Sequence, residues 1–252
     1  LHRLIEDYTD KKASIVLLEI ITLQGNEIEK LRTKVRRIAF LLERAYGIPR
    51  RERKTDPLEV LIQTILSQNT NDRNRDLAYE RLKTRFPLWE DIPRAKKGEI
   101  ARAIRPGGLA NQKAKRIRDL LQWIKDREGG FGLLSLRKMG SQEIEETFGA
   151  LKGIGPKTLA CLLLFGLGRE AFPVDTHILR IGKRLGFIPE RLDAEKAHPW
   201  MVPLVPKGKS LSLHLNLIRF GRSICKAQHP KCNICFLRKE CLFDCGLRSA
   251  DC

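Results

Sequence analysis

The 252-residue sequence predicts an all-α fold. Three observations carry that prediction. No stretch alternates Val, Ile and Thr with polar residues between turn signals, as half-buried strands require. Apolar residues recur instead at intervals of three and four. Aspartate, proline and glycine stand where helices would start and stop.

The elements follow in order. Residues 1–30 contain the helix-prone ASIVLLEIITLQ, which either packs on the rest or extends from it. Over 31–46, Leu31, Val35, Ile38, Leu41, Leu42 and Ala45 share a helical face. In TDPLEVLIQTILSQ, Asp56 is placed as an N-cap, Pro57 fits N1 and Glu59 fits N3. The apolar residues after them are nearly continuous, so this helix is expected at the centre of a core. A helix over 72–85 is stopped by Pro87, and two more are expected over 95–104 and 112–127, around the loop RPGGLAN. Ser141 is placed to cap a short helix through Phe148. The triplet GIG then leads into an apolar helix over 156–167. Asp175 is placed to cap THILRIGKRLG, where Ile178, Ile181 and Leu185 share a face, and a last amphipathic helix is expected over 207–222. Helices joined by short loops pack as a helical bundle or globule.

Composition narrows the partners. Lys and Arg total 48 against 30 Asp and Glu, a formal charge of +18. Such an excess points to polyanions, nucleic acid first and anionic membrane second. No apolar run reaches the roughly 18 to 20 residues that span a bilayer, and Glu19 interrupts the longest. The first residues do not read as a secretory signal, so an intracellular setting, cytoplasmic or nucleoid, is expected. Of seven cysteines, Cys161 stands alone and the others fall between 225 and 252. In a chain of this kind, clustered cysteines favour metal over a disulfide framework.

The stretch CKAQHPKCNICFLRKEC places Cys225, Cys232, Cys235 and Cys241 as C-x6-C-x2-C-x5-C. Four thiolates so close in sequence can converge on tetrahedral zinc or on a [4Fe–4S] cluster. One C-x2-C flanked by wider gaps suits the cluster better than a zinc ribbon, which uses two such pairs. Arg222, Lys226, Lys231, Arg238 and Lys239 lie in or beside the run. They are either phosphate contacts on a pinned loop or a solvated face. Cys245 and Cys252 are given no metal role.

The stretch LKGIGPKTLA carries the other signal. Gly153 and Gly155 around Ile154 permit a tight turn whose backbone N–H groups, at a helix start, suit phosphate. With Gly155 at the N-cap and Pro156 at N1, Lys157 falls near N2, where the helix dipole opposes its charge. A dry site there would favour the neutral, nucleophilic amine. In PVDTHI, Asp175 opens the next helix, where an ionised carboxylate is favoured. Alone, Lys157 reads as surface and Asp175 as an ordinary cap. With the hairpin and the cysteines, they read as a nucleophile and its electrostatic or general-base partner.

Taken together, L-x-G-I-G-x-K-T-x-A, P-V-D-T-H and C-x6-C-x2-C-x5-C resemble endonuclease III and the helix–hairpin–helix (HhH-GPD) DNA glycosylase superfamily. The resemblance covers roughly residues 50–245. It implies two helical lobes with a DNA-binding cleft between them: a six-helix barrel over 50–169, and a cluster lobe from 1–49 and 170–252. Residues 1–30 lie outside it. It implies a [4Fe–4S] cluster on Cys225, Cys232, Cys235 and Cys241, a Schiff-base lysine at Lys157 and a catalytic aspartate at Asp175. LSQNTND resembles the loop that fills the gap left by a flipped nucleotide, with Gln68 and Asn69 at its tip. GGLANQKA resembles the wedge loop, with Leu109 intercalating. Asn69 stands where many endonuclease III sequences have Gln, and Lys152 where the family often has Pro; Lys152 is a candidate phosphate contact. The expected activity is a base-excision glycosylase with AP lyase (β-elimination) chemistry. It would act as a monomer on double-stranded DNA bearing damaged pyrimidines or abasic sites. The alternatives are a relative acting on mismatched uracil, thymine or other bases, a non-catalytic iron–sulfur DNA-binding protein, and a zinc-stapled nucleic-acid-binding module.

Overall fold

The computed structural model describes residues 25–50, 56–96 and 98–243. Expectations that fall on residues 1–24, and those for Cys245 and Cys252, lie outside the described residues. Helices in chain order are α1 (Gly25–Tyr46), α2 (Pro57–Ser67), α3 (Asp72–Arg85), α4 (Asp91–Arg94), α5 (Glu99–Ala103) and α6 (Ala110–Glu128). Then come α7 (Ser141–Gly149), α8 (Pro156–Cys161), α9 (Thr176–Leu185), α10 (Ala194–Met201) and α11 (Ser210–Ser223). Among the described residues there is no strand, so the fold is all-α as expected. None of these helices is long and apolar enough to cross a membrane. The chain divides into two compact units, Glu52–Arg169 and Leu1–Arg51 with Glu170–Cys252.

In the first unit α2 is the central helix. Asp56 caps it by accepting from the Leu58 N–H at 3.0 Å, and Pro57 begins it. Leu58, Leu61, Ile62, Ile65 and Leu66 are almost fully buried, each contributing about 1.5–3 kcal/mol of burial. The helix expected over 95–104 does not form as one piece. Only its second half is helical, as α5, because Gly98 adopts a left-handed φ of 85° and opens α5 as its N-cap; α4 lies ahead of the expected span. Helix α6 begins two residues before the expected start and ends on Gly129 in the left-handed conformation. Ser141 is the first residue of α7 rather than its cap. Gly140 is the N-cap, its N–H donating to Glu143 at 3.2 Å, while the Ser141 hydroxyl accepts from Arg169. The expected apolar helix 156–167 changes form midway: α8 runs to Cys161, and Leu162–Leu167 is a π-helical turn. Gly166 lets this turn approach α2; a Cβ there would meet the Pro57 Cα at 3.0 Å.

In the second unit, α1, α9 and α11 share a core. It holds Val35, Ile38 and Leu42, Ile178 and Ile181, and Leu213, Leu217 and Phe220. Helix α11 starts at Ser210 rather than 207, behind a left-handed Gly208. Glu43 of α1 ties this core together, accepting from Lys209 at 2.8 Å and from the Ser212 hydroxyl at 2.6 Å. Burial pushes the Glu43 carboxyl up, but these two hydrogen bonds outweigh it and hold it below the ordinary value.

Candidate nucleic-acid interface and catalytic residues

In the first unit the hairpin between α7 and α8 has the expected geometry. The Ile154 N–H closes the turn on the Leu151 carbonyl at 3.0 Å, and Gly155 is the N-cap of α8. Gly153 sits at φ 93°, which favours glycine, whereas Gly155 is extended at φ −101°. The Ile154 side chain is buried and its N–H is taken, so this residue anchors the hairpin. Among the described residues, no backbone acceptor takes the N–H of Gly153 or Gly155. Two donors at a helix start are thus left without a backbone acceptor, as an anion site requires. Lys152 beside them is exposed, and Lys157 is half-buried at the second position of α8.

Gln68, expected to contact DNA, has both ends of its side-chain amide bonded within the protein. Its amide donates to the Gly153 carbonyl at 3.1 Å, and its side-chain oxygen accepts from Arg116 at 2.5 Å. The amide therefore ties the 67–71 loop to the hairpin at one end and to Arg116 of α6 at the other. Asn69, the next residue, is exposed with φ 51°. Leu109 is half exposed, at 50%, with φ 48°. Left-handed backbone is tolerable for asparagine but costs a leucine about 1 kcal/mol or more. The two loop tips expected to enter DNA are therefore two of the three non-glycine residues with positive φ among the described residues. The third is His229, in the cysteine loop.

A residue that the sequence reading missed lies beneath both loops. Lys113 of α6 is fully buried, and its Nζ donates to Leu66 O at 2.8 Å and Gly107 O at 2.7 Å. Burial, then the charge of Arg116, lowers its pKa. The signal was present: Lys113 falls in line with Ile117, Leu120 and Ile124 on the buried stripe of α6.

In the second unit Asp175 is the N-cap of α9, accepting from the Ile178 N–H at 2.8 Å, and is half-buried. Two buried histidines fix the residues before it. His214 Nδ1 lies 2.9 Å from the Pro173 carbonyl, so it donates there. The Val174 N–H donates to His198 Nε2 at 3.0 Å, while His198 Nδ1 lies 2.6 Å from the Ala194 carbonyl. This assigns His198 the neutral tautomer with its proton on Nδ1. Neither histidine is identifiable as part of the site from sequence spacing.

Cys225, Cys232, Cys235 and Cys241, all half-buried, line one small cavity with Arg184, Phe220, Ile224 and Arg238. Burial, and then the neighbouring Cys225 and Cys241, push the Cys235 thiol up to about 11 against an opposing pull from a backbone hydrogen bond and Arg238. Arginines of α9 hold this loop: Arg180 donates to the Cys225 carbonyl at 2.8 Å, and Arg184 to the Cys225 sulfur at 3.4 Å and the Lys226 carbonyl at 2.7 Å. Among the described residues, no three His, Cys, Asp or Glu side chains are close enough together to hold one metal ion. Arg222, Lys226 and Lys231 are exposed beside the loop.

Residues 62–201 match the model of the HhH-GPD superfamily base excision DNA repair protein. The chain is 33% identical over 195 residues to Endonuclease III of Thermotoga maritima, covering 77% of this chain and 87% of that one. An Arabidopsis thaliana relative, named as a DNA glycosylase, is 37% identical over 176 residues; the match spans 69% of this chain but only 60% of the relative. A non-covalent Endonuclease III–DNA complex superposes with a TM-score of 0.72 at 27% identity, over 84% of this chain and 95% of that one. A thermostable thymine-DNA glycosylase superposes with a TM-score of 0.69 at 27% identity, over 83% and 96%.

Proposed function

This chain belongs to the HhH-GPD superfamily of base excision DNA repair proteins, and on that premise we propose that it is a DNA glycosylase with AP lyase activity on damaged pyrimidines in duplex DNA. The observation that carries the lyase half is Lys157, half-buried at the second position of α8 directly behind the hairpin. A hairpin that grips phosphate through the Gly153 and Gly155 N–H groups would deliver a nucleotide to an amine held at that spot.

A base inside a duplex is out of reach, so the nucleotide must flip, at a cost of a few kcal/mol. Leu109 and Asn69 take the vacated place in the stack. The Lys157 amine attacks C1′, the C1′–N bond breaks, and the base leaves with a proton. The C1′–O4′ bond then opens, O4′ taking up the amine proton, to leave an imine; the imine acidifies the neighbouring C2′ proton, and its loss expels the 3′ phosphate by β-elimination. Asp175, at the start of α9, stabilises positive charge developing at C1′ and accepts the amine proton. Lys152, Lys226, Lys231 and Arg222 supply the salt-dependent grip on the backbone.

The four cysteines fit a [4Fe–4S] cluster. They line one cavity, and Arg184 donates to a ligand sulfur. A bound cluster would supply a rigid staple for the basic loop 225–241.

The test is borohydride reduction in the presence of DNA carrying an oxidised pyrimidine. The wild type should form a covalent protein–DNA adduct and Lys157→Gln should not. Equal trapping by both would remove Lys157 from the mechanism. The likeness to a thymine-DNA glycosylase favours one second reading, removal of mismatched thymine or uracil. A panel of lesion duplexes separates the two: preferential excision opposite guanine selects the mismatch reading.

A further inference from the structure

A fully buried lysine is costly unless its ammonium is paired or well hydrogen-bonded, and among the described residues no carboxylate bonds Lys113. Its two acceptors are backbone carbonyls from two different loops. Leu66 lies in the last turn of α2, whose carbonyls lack partners within the helix, three residues before Asn69. Gly107 lies two residues before Leu109. The loop is pressed onto this support, since a Cβ on Gly107 would meet the Ala78 side chain at 3.2 Å and the Lys113 Nζ at 3.9 Å. The residues carried just beyond the two carbonyls are the left-handed pair, Asn69 at φ 51° and Leu109 at φ 48°. One turn along α6, Arg116 extends the same support to Gln68.

We propose that Lys113 is a positioning residue: by bridging the Leu66 and Gly107 carbonyls it sets the spacing of Asn69 and Leu109, so that both enter the duplex as a preformed pair. The inference rests on the proposed function, in which these two loops fill the space of a flipped nucleotide. It adds a residue that touches neither DNA nor the reacting atoms. Lys113 has no role in the chemical step; it lowers the cost of extrusion by keeping the two left-handed tips ordered before DNA arrives.

The experiment compares two substrates under single-turnover conditions. One is a duplex with an oxidised pyrimidine, which must be extruded. The other is single-stranded DNA with an abasic site, where no partner strand has to be displaced. Lys113→Met keeps the length and removes the donors. It should slow duplex excision roughly tenfold or more, as loss of charge-assisted hydrogen bonds would, while single-stranded cleavage stays within about twofold. In a Leu109→Ala background the same change should add less than about threefold, because the residue it acts through is gone. Equal losses on both substrates would mean that Lys113 only maintains the fold, and would overturn the proposal, as would fully additive losses with Leu109→Ala. Wild-type protein that cleaves neither substrate would instead sink the proposed function, which keeps the two failures distinct.

Discussion

Replacing Gly153 by alanine tests the hairpin most directly, because Gly155 two residues away supplies the control. At φ 93°, an alanine costs about 1–2 kcal/mol of backbone strain. Its Cβ would stand 2.6 Å from the Arg116 Cδ and 2.7 Å from Nε, so Arg116 must swing away. That movement breaks the hydrogen bond to Gln68, worth about 1.5–3 kcal/mol for a charged donor. Reduced freedom of the unfolded chain returns about 0.4–1 kcal/mol. The net loss for Gly153→Ala is about 2–4 kcal/mol. Gly155→Ala meets nothing within 4 Å and keeps an ordinary extended backbone, so its stability should stay within about 1 kcal/mol of the wild type. Urea denaturation read by far-ultraviolet circular dichroism measures both. Equal midpoints for the two variants would refute the assignment of Gly153 as the strained, packed member of the pair.

Asp175 has a capping role and a proposed catalytic one, and two substitutions separate them. Asp175→Asn keeps a good N-cap and should leave stability within about 0.5 kcal/mol while excision falls by orders of magnitude; Asp175→Ala should lose activity and about 1 kcal/mol of stability as well. Unchanged turnover in the asparagine variant, measured by gel-based strand cleavage, would leave Asp175 a cap only. Glu43 has a folded carboxyl held below its ordinary value, so its contribution is present above about pH 4.5 and is lost as pH falls through the lowered value. Glu43→Gln should therefore be less stable than the wild type at pH 7, with the gap closing in acid; a gap independent of pH across thermal melts would contradict the Lys209 and Ser212 account.

The features legible in the sequence are those that local chemistry decides. Asp56 before Pro57 and Asp175 before Thr176 form caps because the rule involves only neighbouring residues, and both were readable. The expectation for 95–104 failed at Gly98, since periodicity alone does not show which glycine turns left-handed. The run LLLFGL is uniformly apolar and so carries no register, which is why its π-helical turn left no trace in the pattern. The site divided in the same way. Lys157, Asp175 and the cysteines lie in dense motifs, whereas Lys113, His198 and His214 act on partners from 6 to 47 residues away. Long-range hydrogen bonds to backbone carbonyls and N–H groups have no residue-type signature, so only the fold reveals them. Gln68 shows the converse: its place in the motif suggests a DNA contact, and only the fold reveals that its amide also bonds Gly153 and Arg116.

Leu109 has a consequence for anyone who would engineer this protein. Half its surface is exposed and its backbone is in a conformation leucine resists, so the free protein gains little from it. Glycine at that position would relieve the strain, of about 1–2 kcal/mol, and give up only the buried half of the side chain, about 1 kcal/mol. A library screened for thermal tolerance without DNA would then enrich Leu109→Gly early and discard the wedge that the proposed mechanism needs. Heat-hardened variants from such a screen should be sequenced at 109 before their loss of repair is blamed on rigidity elsewhere.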